Sequence, residues 1–416
     1  MSELELKQRR LECNDMNSMA KQLGQNPSDG ECDWEGEGVE EPLGGTSWVF
    51  NSLTGELVVF ESVERDGDEI GPWGEIGGEV RMVVLRDGVT VIQGMAFCQC
   101  SELVSVMIPE SVVSIESHAF HCCHSLVSVD IPESVERIGK CAFYGCECLG
   151  LIEIPSSVIC MGGKLFHECY RARVDVSRND RFVVRDGVIF DLGETEVIFC
   201  DDSGVEECDI GGRVKRIGEE AFGDCKRLKR VGIGESVELI GDGAFSNCTR
   251  LKLVEVGGSV TSIGVGCFSF CDRLESIVLP NSVEFIGREG FYGCSGMKFV
   301  VLSCSLRRLE EGVFGLSGLR GVRIPESVVW IGDYAFSDCR ELEWVEIGRF
   351  VEGIGRCAFK GCVMLREVEI PESVVLVGEY AFWECEGLER VVVGKGLKYC
   401  GSAFPHGVRI YFHQNG

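Results

Sequence analysis

The sequence predicts a β-dominated solenoid of about thirteen stacked coils, each 22–23 residues long, with parallel strands and short turns. Three observations predict it. Phe recurs at a fixed interval. A Cys follows that Phe three residues later in most intervals, and each interval holds one short run of alternating apolar and polar residues. The 416 residues are 45% hydrophobic, enough apolar material to bury a sizeable core and to exclude wholesale disorder. Composition alone leaves the 24 Cys open to three readings: a disulfide framework, metal sites or a repeat position.

The interval comes first because it decides the rest. Phe97, Phe120, Phe143 and Phe166 lie 23 residues apart, as do Phe222, Phe245, Phe268, Phe291 and Phe314. Phe336, Phe359, Phe382 and Phe404 follow at steps of 22, 23, 23 and 22. One coil reads Leu365-Arg-Glu-Val368-Glu-Ile370-Pro371-Glu-Ser-Val374-Val-Leu-Val377-Gly378-Glu-Tyr-Ala381-Phe382-Trp-Glu-Cys385. This Leu-x-x-Val-x-Ile spacing at such a period is the signature of a leucine-rich-repeat solenoid.

Each landmark has a physical reason. Val368 and Ile370 alternate with polar residues, as in a strand with one buried face. Pro371 suits a strand end, having no N–H for a ladder. Val374 and Val377 return to the core. Gly378 stands where a tight turn, or close approach to the next coil, favours a residue without Cβ; Gly139, Gly218, Gly241, Gly264, Gly287, Gly332 and Gly355 are its equivalents. Ala381 and Phe382 point a small and a large group inward.

The same register absorbs eleven of the Cys: Cys100, Cys123, Cys146, Cys169, Cys225, Cys248, Cys271, Cys294, Cys339, Cys362 and Cys385, with Ser317 and Gly407 as exceptions. Equivalent positions of stacked coils form a ladder with a step of about 4.8 Å. A Cys there acts as a small buried hydrophobe with a weak S–H donor. Side chains of such a ladder run parallel, whereas a disulfide needs convergent Cβ vectors. The ladder is therefore expected to be reduced and structural.

The run Ile131-Pro132-Glu-Ser-Val135-Glu-Arg-Ile138-Gly139-Lys-Cys-Ala142-Phe143-Tyr-Gly-Cys146 resembles the repeat of the BspA-like, or Treponema-type, leucine-rich-repeat family, and the resemblance covers residues 82–412. It implies a leucine-rich-repeat solenoid and a relation to surface antigens and adhesins that bind host or matrix proteins. Trp48-Val-Phe50-Asn-Ser-Leu-Thr54-Gly55-Glu-Leu57-Val-Val59, followed by Pro72-Trp73, is similar to segments preceding the first repeat in that family. It reads as a hairpin turning at Thr54-Gly55. A solenoid needs a cap over its first coil, and residues 46–81 are expected to form a small N-terminal β cap for a solenoid spanning 82–416. The 56-residue gap between Phe166 and Phe222 is expected to hold a degenerate repeat with a hairpin insert over 170–213. Residues 1–45, with 11 acidic and 4 basic residues, are expected to form an acidic, disordered tail.

Chemistry is hard to find. There is no P-loop, dinucleotide loop, HExxH or GxSxG motif, so no enzymatic activity and no cofactor is expected. His118-Ala-Phe-His121-Cys122-Cys123-His124 has zinc-ligand residue types. Phe120 and Cys123 are core landmarks, however, so an exposed polar turn is favoured and no metal is expected. Asn247-Cys248-Thr249 matches a glycosylation sequon but sits in a tight turn.

A net charge of -27 argues against a nucleic-acid partner. No apolar run is long enough for a transmembrane helix. With no secretory signal in the sequence, the default expectation is cytoplasmic, and the family resemblance supplies the cell surface as the alternative. The strand positions alternating with the buried pair line an open sheet face, the surface with which solenoids bind partners. There Leu253, Val278, Phe299, Val301 and Trp344 form an expected protein-contact patch, with Glu346, Glu367 and Glu369 as its acidic rim. The expected function is therefore non-catalytic protein binding through the sheet face, as an adhesin or as an intracellular scaffold or regulatory component.

Overall fold

The computed structural model describes residues 48–61, 73–169, 171–200, 204–399 and 401–413; the segment 1–45 lies outside them. The described residues form two compact units, one ending at Arg181 and one beginning at Phe182.

The first unit opens with a hairpin. Trp48–Asn51 pairs antiparallel with Glu56–Glu61, and Gly55 takes a left-handed φ of +72° at the turn. Glu56–Glu61 then pairs in parallel with Met82–Gly88, setting Leu57 beside Val83. The hairpin's second strand is thus the first rung of a parallel ladder that continues through Ser105–Met107 and Ser128–Val129. Leu151–Glu153 and Arg173–Asp175 occupy the same place in the following coils. A second ladder of two-residue strands runs from Val91–Ile92 to Cys160–Met161.

The second unit opens with an antiparallel meander of Phe182–Arg185, Val188–Asp191 and Glu196–Cys200. Its last strand pairs in parallel with Arg216–Ile217, the start of the unit's short-strand ladder. Longer strands occupy the other side of each coil, from Glu207–Ile210 to Arg409–Phe412.

Both units are solenoids of stacked parallel strands, and the described residues contain no helix. The landmark rings stack face to face, with centroids 5.2–5.6 Å apart from Phe97 to Phe166 and 5.0–5.5 Å apart from Phe222 to Phe404. The count of thirteen is two turns short, because two turns carry another residue in the place of Phe. Trp73 stacks on Phe97 at 5.1 Å, and its indole N–H donates to the Ala96 carbonyl at 2.7 Å. The N–H of Cys200 donates to the Ala221 carbonyl at 2.7 Å, as the N–H of Phe222 does to Ala244.

The segment around each landmark Phe is a third ladder with no strand geometry. The N–H of Phe120 donates to Ala142 at 2.8 Å, and those of His118 and Cys122 reach Lys140 and Tyr144 at 2.9 and 2.7 Å. To aim these groups at the next coil, the residues two before and two after the Phe are left-handed. Met95 and Gln99, Glu220 and Asp224, and Tyr334 and Asp338 all have φ between +50° and +64°. A left-handed L-residue costs roughly 1–2 kcal/mol, and here the cost is offset by inter-coil hydrogen bonds in a buried setting.

The glycines before the landmark have a different cause from the tight turn allowed by the sequence. Gly139, Gly264 and Gly378 are not left-handed; a Cβ on them would fall 2.4, 2.5 and 2.6 Å from the backbone nitrogens of Ser117, Asp242 and Arg356. Those nitrogens belong to the preceding coil, not the next one. Gly is required because two backbones touch there.

Candidate partner-binding face

The structure buries all eleven ladder Cys. In nine of them, from Cys123 to Cys385, the thiol donates to the carbonyl of the preceding coil's landmark Phe at 3.0–3.2 Å. The same carbonyl accepts the N–H of its own coil's Cys, or of Ser317 in the case of Phe314. Phe120 O, for example, takes Cys123 N at 3.3 Å and Cys146 Sγ at 3.2 Å. A carbonyl has two lone pairs, and the thiol supplies a donor for the second inside the core. Burial pushes these thiols up: Cys294 and Cys339 to about 12, and Cys146, Cys271 and Cys362 well above the usual range. Such thiols are poor nucleophiles. The 21 described Cys are all unbridged, and among those outside the ladder Cys160 and Cys304 are exposed.

The histidines around Cys123 lie on a turn. His121 stacks on Tyr144 at 4.8 Å, and His124 Nδ1 lies 3.1 Å from the Gly145 carbonyl and 3.5 Å from Glu147. Among the described residues, no group of three or more His, Cys, Asp or Glu is arranged to hold a metal ion. Asn247 has its amide directed at the Asp224 carboxylate of the preceding coil.

The long-strand face of the second unit holds the apolar residues singled out above. Leu253 is 44% exposed, Val278 62%, Phe299 58%, Val301 55% and Trp344 48%. Their strands alternate buried and exposed, as Phe299–Val301 does around buried Val300. The register sets Val278 beside Val301 and Ser276 beside Phe299. One coil separates Phe299 from Trp344, and Gly321 fills that place. The indole lies over Gly321, where a Cβ would fall 2.0 Å from its Cε2. Gly321 therefore lets Trp344 lean one coil back toward Phe299.

The expected acidic rim has cationic or histidine neighbours in adjacent coils. Glu346 is paired with Arg323 at 2.7 Å and Glu367 with Arg390 at 3.1 Å, while Glu369 lies 3.6 Å from His413. On the other side of the patch, Arg230 bridges Asp209 at 2.7 Å and Glu255 at 2.5 Å. The face is an apolar centre between two borders that carry ion pairs. Inter-coil pairs of this kind were not visible in the strand pattern, because their partners lie 21 to 25 residues apart.

A second apolar row was missed. The first residues of the short strands include exposed Phe285 and Leu376, with Trp330 lying over Gly353 as Trp344 does over Gly321. The available signal was the residue before each Ile-Gly pair, which repeats as regularly as the strand positions.

The model of the BspA type leucine rich repeat region matches in six copies, over residues 78–182, 195–320 and 308–410. The chain belongs to the BspA-type leucine-rich-repeat family. No curated protein matches it. Among solved structures, a leucine-rich repeat protein from Eubacterium ventriosum ATCC 27560 is similar at 21% identity and a TM-score of 0.63, covering 81% of this chain and 92% of that one. A leucine-rich repeat protein from Bacteroides ovatus ATCC 8483 is similar at 26% identity and a TM-score of 0.57, covering 92% and 100%. Both share the fold of this BspA-type protein. Its described residues contain no helix long and apolar enough to cross a membrane.

Proposed function

We propose that this BspA-type protein is a non-catalytic binding protein that recognises a protein partner through the long-strand face of its second unit. The observation that carries the reading is the exposed cluster of Leu253, Val278, Phe299, Val301 and Trp344, on strands whose alternate residues are fully committed to the core. Large apolar and aromatic groups grouped at the centre of a surface, with paired charges around them, have the composition of an interface core and rim. Glu346, Glu367 and Glu369 serve as that rim, the first two paired with Arg323 and Arg390. The Cys ladder is structural, and no catalytic residue, cofactor or metal enters the function.

The test is a pull-down with tagged protein and its Phe299→Ala/Trp344→Ala variant. The variant is expected to lose its specific partner while its far-UV circular dichroism and melting temperature stay unchanged. Equal recovery of the partner by both proteins would reject the face as the binding surface.

The family resemblance favours an adhesin at a cell surface. A second reading, an intracellular scaffold or regulatory component, is favoured by the exposed thiols of Cys160 and Cys304, since unpaired surface thiols suit a reducing compartment. Antibody labelling of intact expressing cells separates the two: surface signal supports the adhesin, and signal only after permeabilisation supports the scaffold.

A further inference from the structure

Lys226-Arg227-Leu228-Lys229-Arg230 places four cations in five positions of a chain with net charge -27. The fold sorts them. Leu228 is core, Arg230 is held by Asp209 and Glu255, and Lys229 by Glu206 at 2.6 Å. Arg227 stands five residues past Phe222, and Arg250 and Arg273 stand in the same place past Phe245 and Phe268. Those rings are 5.0 and 5.2 Å apart, so the coils set the three Arg in one row at a similar step. All three are exposed, as is Lys252 in the adjoining row, which follows Lys229 through a backbone bond of 2.8 Å.

Neither an ion pair nor a hydrogen bond neutralises the Arg227, Arg250, Lys252 or Arg273 side chain among the described residues. Of the nearby acids, Glu206 is engaged by Lys229, and Asp272 accepts from the Ser295 hydroxyl at 3.3 Å while keeping its charge; Glu275 takes the place of Lys252 in the next coil. The Glu206 carboxyl is held below its usual range by Lys229 first and by Arg227 and Arg250 beyond it, a sign of the positive field there. Like charges one coil apart repel, and an anion bridging them removes that repulsion. The row is short. The next coils offer Gly296 and Gly318, then Glu341, which is already paired with Lys298 and Arg320.

We propose that Arg227, Arg250 and Arg273, with Lys252, seat a short acidic segment of a protein partner. Guanidinium groups hold carboxylates in a bidentate fork. Same-side residues of an extended segment are about 6.7 Å apart, so a row two coil steps long takes two or three carboxylates. A long polyanion is disfavoured by the length of the row, by the acids beyond it and by the net charge of the chain. Three residues after each Arg comes the first position of a long strand, Arg230, Leu253 and Ser276, so the row borders the apolar face. The proposal stands on the row alone and does not require the apolar patch.

Fluorescence anisotropy of a labelled hexaglutamate peptide tests it. Wild-type protein is expected to bind at low salt and to release the peptide as salt rises. Arg227→Glu/Arg250→Glu/Arg273→Glu should weaken binding about 10-fold or more, and replacing the same three by Lys should weaken it less. Phe299→Ala/Trp344→Ala should bind the peptide normally, so failure of the apolar patch leaves this result readable. Circular dichroism checks folding, and Arg250→Glu alone serves if the triple variant misfolds. Equal affinity of wild-type and charge-reversed protein would overturn the proposal. So would preferential binding of a heparin hexasaccharide or an oligothymidylate, which would assign the row to sulfate or phosphate.

Discussion

The two units are built on the same kind of core and differ in their faces. In the first, the long-strand face over 105–153 reads Ser105, Met107, Ser128, Asp130, Leu151, Glu153, and among these only Leu151 is a large, exposed apolar residue. In the second, five large apolar residues stand exposed between ion-paired borders. Beneath both faces the same Phe stack, thiol-to-carbonyl bonds and backbone-to-backbone glycine contacts recur. The lesson is a division of labour along the repeat. Inward positions are dictated by stacking and tolerate little, while the alternating outward positions are free to be spent on recognition.

The largest expected effect should be the same in both units. Phe120→Ala and Phe268→Ala each remove a fully buried ring stacked on two neighbours. Each should cost about 3–5 kcal/mol in urea unfolding. A loss in only one unit would break the claim of a common core.

Alkaline titration should separate the units. A thiol raised from its ordinary 9.0 to about 12 in the fold, as in Cys294 and Cys339, keeps its proton longer folded than unfolded. Its contribution to stability is complete below pH 9 and is lost as pH climbs from 9 toward 12, by about 1.4 kcal/mol per pH unit for each thiol. Buried, raised thiols in the second unit include Cys267, Cys271, Cys294, Cys339 and Cys362, against Cys98, Cys100 and Cys146 in the first. The second unit should therefore become protease-sensitive first as pH is raised, with cleavage sites read by mass spectrometry.

Smaller effects sharpen the contrast in faces. Gly321→Val should push the Trp344 indole off its seat and weaken partner binding by about 10-fold, with little change in melting temperature. Leu151→Ala in the first unit should leave binding unaltered. Leu316, exposed with a left-handed φ of +56°, is strained for a residue with a side chain. Leu316→Gly should stabilise the protein by up to about 1 kcal/mol, seen as a small rise in melting temperature.

The fold was legible because inward positions repeat. Phe, Ala, Cys and the paired aliphatic residues return at a fixed step, and each type has one packing role. Two turns escaped the count because Trp73 and Cys200 fill the landmark place with other chemistry. The left-handed residues were hidden for a related reason: the fold imposes that backbone on Met95, Phe270, Leu316 and Tyr334 alike, so no residue type marks it. For the glycines, the position was readable and its cause was not, since a turn and a backbone contact both favour the absence of Cβ. On the face, exposure followed from strand alternation. The ion pairs of the rim and the seat of Trp344 over Gly321 depend on which coil a side chain leans toward, and strand alternation alone does not specify that.

The turn ladder has a consequence for how each unit is polarised. In a parallel sheet, every strand offers both donors and acceptors to each neighbour. Around the landmark Phe, the donors all point one way: Phe336 N–H to Ala358, Phe359 N–H to Ala381, Phe382 N–H to Ala403. Peptide dipoles aligned in this manner add, as they do along a helix. Each unit thus carries an axial electric field along one flank, with its N–H end directed toward later coils, and no helix among the described residues supplies one.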